Sequence, residues 1–481
     1  MSRSGFVPPY LLRQVAEAAA SGTLPDAGLP EVCRHTLDLD ARFRDDRSAH
    51  RVRTQAAEPE PATPAEPAGP AAWTIHSAGN TQSLPGEPVR DETAGSPSGD
   101  VPVDEAWDGV RATLDLFRQA FGRASYDDAG ARVSATVHYG RNYQNAFWDG
   151  TQLVFGDGDG RIFNRFTVAV DILAHEFGHA VTEYTAGLVY RDQPGALNES
   201  MSDVFGSCLK QRVLGQEAAE ADWLIGEGLF TDLVRGDALR SMAAPGTAYD
   251  DPVLGKDPQP GHMDDYVDTR DDNGGVHINS GIPNRAFYLA ATAIGGPADV
   301  GAGRIWYEAL LTVGPTTDFA GFAAATVAVA GEHADAVREA WTSVGVVRDD
   351  DGDGARESSS DRAGDQADAD APQAPAPPSD QGGPIGVVEI RRSGGFAGIT
   401  VTSSLDLDGD DPRVGEARTL VHRVDIALLE HEAAAWSGEQ RRPDTFTYVI
   451  VCGGHEIEVP EDHATPDLLR LAELILAPRD R

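Results

Sequence analysis

The sequence predicts an α+β protein with two folded parts on one chain. Three observations lead there. From about Trp73 to Val346, strand-like and long helical segments alternate without low complexity. A second mixed run begins near Ile385: VVEIRR, GITVTS and TFTYVIV read as strands and LVHRVDIALLEHEAAAW and TPDLLRLAELIL as helices, enough for a small α+β domain. Before and between these runs lie stretches with too little apolar surface to fold.

Taken in order, residues 1–55 are partly helical, because PPYLLRQVAEAA sets apolar side chains behind a proline start. Residues 56–72, rich in Pro, Ala and Glu, read as an exposed linker, so cleavage is expected between Ala49 and Trp73. Residues 347–384 read as a second, acidic tether. Its DDDGDG start imitates a calcium loop, yet the twelfth position counted from Asp349 is Ser360, where such a loop needs a bidentate glutamate. A solvated acidic linker is the better reading. Residues 385–481 make up the last domain.

At 481 residues and 41% hydrophobic content, the chain can bury a sizeable core. Its 77 acidic side chains outnumber 39 basic ones, for a formal charge of −38. Such a surface repels nucleic acid and anionic membranes, so neither is expected as a partner. No run is long enough to span a bilayer. The N-terminus has the proline pair Pro8 and Pro9 where a signal peptide needs its apolar core, which predicts a cytoplasmic protein, with release by a non-standard route left open. Cys33, Cys208 and Cys452 are odd in number and far apart, which gives no disulfide framework. Cys33 reads as a buried or idle thiol in preference to a removable zinc ligand.

The chemistry concentrates in VAVDILAHEFGHAVTEYTAG. On a helix, His175 and His179 are one turn apart, so both imidazoles project from one face and can hold a single ion. Glu176, between them, is placed to accept a proton from water. HExxH also arises by chance on polar helix faces, so a second signal matters. GALNESMSDVFG supplies it: Glu199 completes a His₂Glu zinc set with one open position, and Asp203, four residues on, is placed to accept the remaining ring N–H of a ligand histidine.

HEFGH with NESMSD resembles the thermolysin family of zinc peptidases, as do NAFWDGTQLVFGDGDG, AVTEYTAGLVY, LRSM and DNGGVHINSGI. The likeness covers residues 73 to 346 and is greatest to the protealysin-like members, whose short propeptides carry a motif similar to Pro8, Pro9, Tyr10, Leu11 and Leu12. It implies a two-lobed catalytic domain: a mixed β lobe with the HExxH helix over residues 73–190, a helical lobe over 191–346, and zinc in the cleft. The implied roles follow position by position. Asn145 and Ala146 would bond the substrate backbone. Tyr190 and His277 would donate to the oxyanion, with Asp272 orienting His277. Arg240 would bind the carbonyl beyond the cleaved bond. Phe163, Phe166, Ile172, Ile225 and Leu239 would line the pocket after that bond, giving cleavage on the N-terminal side of hydrophobic residues in peptides and proteins. One departure stands out: Lys210 replaces a glutamate of the family's double-calcium site and Leu224 another acid, so calcium is doubtful there. Lys210 would instead neutralise Asp171, Asp222 and Glu227.

Restraint is expected from both ends. Residues 1–55 would act as a propeptide over the cleft. VVEIRRSGGFAGITV, with Arg392, Ser393, Gly394, Gly395, Phe396, Ala397 and Gly398, resembles the start of emfourin, a small inhibitor of protealysin-like enzymes. A flexible tether of about forty residues spans on the order of 35 Å, which gives a millimolar effective concentration in cis. Two alternatives predict otherwise: a C-terminal module that targets substrate, or a non-catalytic binding protein with structural zinc.

Overall fold

The computed structural model describes residues 5–24, 28–40, 71–347, 387–394, 401–407, 446–452, 455–460 and 464–476, with single positions between 413 and 421. Both linker readings, the Asp349 and Ser360 comparison, Gly395 to Gly398 and most of the helix expected from Leu420 lie outside these residues. The chain divides into two compact units, Met1–Ser358 and Ser359–Arg481, and the α+β class holds for both.

In the first unit a mixed sheet has the order β2-β1-β3-β5-β4. Its strands are β1 (Trp73–Ser77), β2 (Glu87–Asp91), β3 (Val133–Val137), β4 (Ala146–Trp148) and β5 (Leu153–Phe155). The inner strands β1, β3 and β5 run parallel, while β2 and β4 are antiparallel edges. Helix α3 (Val101–Leu116) packs on β1 and β3 and against α4 (Val170–Glu183). The helical lobe follows: α5 (Asp192–Leu214), α6 (Asp272–Asn279), α7 (Gly281–Ile294), α8 (Ala302–Leu310), α9 (Phe319–Val329) and α10 (Ala334–Ser343). Two short ribbons intervene, β6 (Leu224–Ile225) with β7 (Arg240–Ser241), and β8 (Asp250–Asp251) with β9 (Gly255–Lys256).

Helices α4 and α5 form the spine that sets the site. Seventeen consecutive α5 residues, Gly195 to Gln211, are buried, polar ones included. The helices approach closely because Gly178 has no side chain: a Cβ there would lie 2.9 Å from Ser202 Cα. Below them Phe117, Phe177 and Phe205 meet at ring separations of 4.8 to 5.0 Å, a cluster that joins the end of α3 to α4 and α5.

The N-terminal segment contributes α1 (Pro9–Ala20) and α2 (residues 29–40). Its Phe6, Val7, Leu11, Leu12, Val15 and Leu29 share one buried core with the sheet and helices of residues 71–347. Cys33 is buried there, and burial pushes its thiol pKa up to about 12, which suits an inert thiol.

His138 ties three elements together. Its Nδ1 meets Asp157 at 2.8 Å and its Nε2 meets Asp100, which precedes α3, at 3.1 Å. The hydrogen bond to Asp157 raises its pKa to about 9, against the opposing effect of burial and with help from Asp100. Because the folded pKa is raised, this stabilisation is complete below the unfolded value near 6.5 and fades as pH rises through about 9. The stability gap between wild type and His138→Gln is therefore expected to narrow over that window, as read by denaturant unfolding at pH 6 and pH 9.5.

In the second unit β10 (Val387–Gly394), β11 (Val401–Asp406), β12 (Phe446–Cys452) and β13 (His455–Pro460) form an antiparallel sheet in the order β11-β10-β12-β13. Helix α11 (Pro466–Leu476) buries Leu468, Leu471, Ala472 and Ile475 in the same cluster as Val388, Ile390, Ile450 and Ile457. That spacing is one face of a helix laid on one face of a sheet.

Candidate active site

The sequence pattern brings His175, His179 and Glu199 to one point. The two Nε2 atoms are 3.1 Å apart, and the Glu199 carboxylate lies 3.5 Å from His175 Nε2 and 3.4 Å from His179 Nε2. A tetrahedral zinc with arms of about 2.0–2.1 Å needs ligand atoms roughly 3.3 Å apart, so the three fit one ion. The outer hydrogen bonds fix what the rings present. His175 donates from Nδ1 to Asp203 at 2.8 Å, and His179 from Nδ1 to Asn198 Oδ1 at 2.8 Å. Both Nε2 atoms then carry lone pairs aimed at each other, an arrangement that a cation resolves and that is repulsive otherwise. Burial keeps His175 neutral, lowering its pKa to about 4 despite the pull of Asp203. Among the described residues, this is the one cluster of three or more such side chains that could hold a metal.

Asp203 is the hub behind the cluster. Besides His175 it accepts two bonds from Arg240 at 2.8 Å and one from Asn284 at 2.9 Å. Burial opposes its charge, but Arg240 and His175 outweigh that and hold its carboxyl well below the usual range. Glu176 is fully buried on the ligand helix. Across the cleft Tyr190 donates its hydroxyl to Glu199 and lies 3.3 Å from His277 Nε2. His277 Nδ1 meets Asp272 at 2.7 Å. Burial would lower the His277 pKa, but Asp272 and Glu199 together raise it.

The DNGG stretch explains how Asp272 reaches a histidine five residues on. Asp272, Asn273, Gly274 and Gly275 all have positive φ, 55°, 54°, 84° and 72°. This left-handed turn lets Asp272 also accept the His277 backbone N–H at 2.9 Å. Gly274 is required: a Cβ would lie 2.0 Å from Asp192 Oδ1.

The expected substrate-binding residues are engaged by the chain's own N-terminus. Phe6 donates its N–H to Ala146 O at 3.0 Å and accepts from Arg240 Nη1 at 3.2 Å. Val7 donates to Asn145 Oδ1 at 2.8 Å and accepts from Asn145 Nδ2 at 3.2 Å. The Phe6 ring meets His175 edge-on, with ring centres 5.0 Å apart, and lies against Gly226 near Leu239. Phe163, Phe166, Ile172, Ile225 and Leu239 are all buried; Phe163 and Phe166 are 6.1 Å apart, and Leu239 N bonds Ile225 O. Four residues were not foreseen: Phe6, Asn198, Asn284 and Asp40, whose carboxylate bonds Asn145 Nδ2 at 3.0 Å and Tyr143 at 2.5 Å. Asn198 had a signal, since it precedes Glu199 on the same helix. The others sit on remote segments with no spacing to reveal them.

A two-lobed α+β fold with this three-residue cluster between its lobes defines a zinc metalloendopeptidase of the HExxH-plus-glutamate kind. Residues 73–183 match the catalytic domain and residues 186–346 the alpha-helical domain of the thermolysin metallopeptidases, and residues 390–476 match Emfourin. The chain belongs to the thermolysin family. It is 56% identical over 288 residues to an extracellular metalloprotease of Pectobacterium carotovorum subsp. carotovorum, covering 58% of this chain and 82% of the relative. It is 42% identical over 360 residues to protease PrtS of a Photorhabdus species, covering 73% and 94%. The solved precursor of protealysin from Serratia proteamaculans superposes with a TM-score of 0.63 at 48% identity, over 72% of this chain and all of that one. These relatives correct the expectation of a cytoplasmic protein, since the Pectobacterium enzyme is named extracellular. The proline pair near the N-terminus misled: it belongs to the start of α1 in the catalytic unit, and a missing apolar run does not fix a location. Among the described residues no helix is long and apolar enough to cross a membrane.

Proposed function

We propose that this peptidase acts outside the cell, is made latent, and cuts peptides on the N-terminal side of apolar residues, with residues 1–55 as propeptide and 385–481 as a tethered inhibitor. The observation that carries the latent state is the seat of Phe6 and Val7 on Ala146, Asn145 and Arg240. A substrate needs those same bonds, so it cannot enter while they are made.

Zinc held by His175, His179 and Glu199 would polarise the scissile carbonyl and bring the pKa of a bound water to about 7. Glu176 accepts the proton of the attacking water and returns it to the leaving nitrogen. Tyr190 and His277 donate hydrogen bonds where the oxyanion forms, and Asp272 holds His277 in its donor form. Arg240 takes the carbonyl of the residue after the cleaved bond, and Asn145 and Ala146 hold the backbone on either side. Phe163, Phe166, Ile172, Ile225 and Leu239 supply the apolar pocket that selects the side chain at that position.

For the C-terminal domain, the Emfourin match over residues 390–476 supports inhibition. With the propeptide released, a chain ending at Val346 is expected to hydrolyse a chelator-sensitive reporter peptide at least about tenfold faster than the full chain, as a tethered inhibitor at millimolar effective concentration requires. Equal rates would make the domain an accessory module.

Lys210 is proposed to replace calcium. Its ammonium contacts Asp222 at 2.8 Å, Glu227 at 2.9 Å and Leu224 O at 3.3 Å. Burial works against its charge, but the bonds to Asp222 and Glu227, aided by Asp171, raise its pKa. Lys210→Ala is expected to cost about 1 kcal/mol or less, because Asp222 and Glu227 are exposed and solvent screens them, and to make the melting temperature respond to calcium. A large calcium response already present in wild type and left intact by the substitution would refute the replacement.

A further inference from the structure

We propose that this protein is its own substrate at one bond, Gly5–Phe6, and that the zinc-loaded enzyme removes residues 1–5 while the rest of the segment stays in the cleft. The inference rests on reading Glu176 and the three-ligand cluster as a peptidase centre. It concerns a different bond from the linker between residues 49 and 73.

The register of the segment singles out this bond. The Phe6 carbonyl is held by Arg240 Nη1, while the same guanidinium grips Asp203, the partner of His175 Nδ1. Arg240 is the group proposed above to take the carbonyl of the residue after the cleaved bond, which makes Phe6 that residue and Gly5–Phe6 the bond to be cut. The neighbouring contacts agree: Val7 bonds the Asn145 side chain and the Phe6 N–H bonds the Ala146 carbonyl at the start of β4, the two residues proposed to hold a substrate backbone. The Phe6 ring packs nearly perpendicular to the imidazole of the ligand His175, with ring centres 5.0 Å apart. Beyond Phe6 and Val7, where the backbone bends, Pro8 caps the start of α1, whose Tyr10 lies in the electrostatic reach of Arg240 and Asp272.

Gly5 fits the same picture. A Cβ on it would lie 2.3 Å from Asn145 Cγ and Nδ2, and Asn145 is buried and held by Val7, Asp40 and its own bond to Ala146 N. Only glycine passes without moving a substrate-binding side chain. The reaction is a plain hydrolysis. Water oxygen adds to the Gly5 carbonyl carbon, the C–N bond to Phe6 breaks, and Glu176 carries the proton from water to the leaving nitrogen. The products are a pentapeptide ending in the Gly5 carboxylate and a chain beginning with the Phe6 amine. That amine keeps its hydrogen bond to Ala146 O, so the trimmed segment remains as a bound product.

The test uses the full chain as wild type, Glu176→Gln and Gly5→Val, each incubated with zinc. Intact mass and N-terminal sequencing should show wild type losing residues 1–5 and gaining Phe6 as its first residue. Trimming should slow at least about 10²-fold in Glu176→Gln and vanish in Gly5→Val. Hydrogen exchange of metal-free Glu176→Gln should show the Phe6 and Val7 amides protected. Three results would overturn the proposal: exposed amides at both positions, a cut at another bond within residues 1–12, or an intact N-terminus in a wild-type preparation that hydrolyses an added apolar peptide after the propeptide is released. The last would leave the peptidase reading standing. If neither the N-terminus nor the added peptide is cut, that reading fails too.

Discussion

Replacing Glu176 by glutamine is expected to lower kcat/KM on an apolar peptide by about 10²–10⁴-fold, the range for loss of a general base. Zinc content should stay at one ion per chain, because Glu176 is not among the three side chains that converge on the metal position. The amide keeps the shape of the carboxylate and removes only its ability to take a proton. Glu176 is completely buried on α4 between His175 and His179, so an isosteric change there should leave the helix packing unaltered. Steady-state kinetics on protein freed of residues 1–55, the proposed propeptide, with metal analysis of the same sample, separates the two effects. A variant with unchanged kcat/KM would remove Glu176 from the mechanism.

Asp203→Ala is expected to have the largest structural effect of any single change near the site. Its carboxylate is fully buried and accepts from His175, twice from Arg240, and from Asn284. Removing it strands the Arg240 charge in a buried setting, which costs about 3–5 kcal/mol. It also releases the Nδ1 proton that fixes the His175 ring, which weakens zinc binding by about 10–100-fold. Asp203→Asn keeps the volume and one acceptor, so it should fall between wild type and alanine in both respects. Denaturant unfolding of the metal-free protein measures the first effect, and competition with a chelator of known affinity measures the second. If the alanine variant unfolded at the wild-type denaturant concentration, the hub described for Asp203 would be wrong.

What could be read from the sequence follows from how local each signal is. His175 with His179, and Glu199 with Asp203, are pairs one turn apart on a helix, so their shared faces are fixed by backbone geometry alone. That two such helices cross where Gly178 meets Ser202 is tertiary, and the two motifs only implied it. Asn284 and Asp40 reach the site from 81 and 105 residues away, and no periodicity connects them to it. Phe6 was hidden for another reason. PPYLL marked the segment as a helix start, but the residue that bonds Arg240 and Ala146 precedes the motif, and only those two partners reveal it. The cellular location failed because it was argued from the absence of a pattern.

The central claim is that one zinc ion sits among His175, His179 and Glu199 and makes the protein a peptidase. Its most direct test is a crystal structure with data collected on both sides of the zinc absorption edge, on protein whose peptidase activity has been measured before and after chelation. The account predicts one anomalous peak about 2.0–2.2 Å from His175 Nε2, His179 Nε2 and a Glu199 oxygen, with activity lost on chelation and restored by zinc. Activity that survives removal of the metal, or a peak held by any other set of side chains, would contradict it.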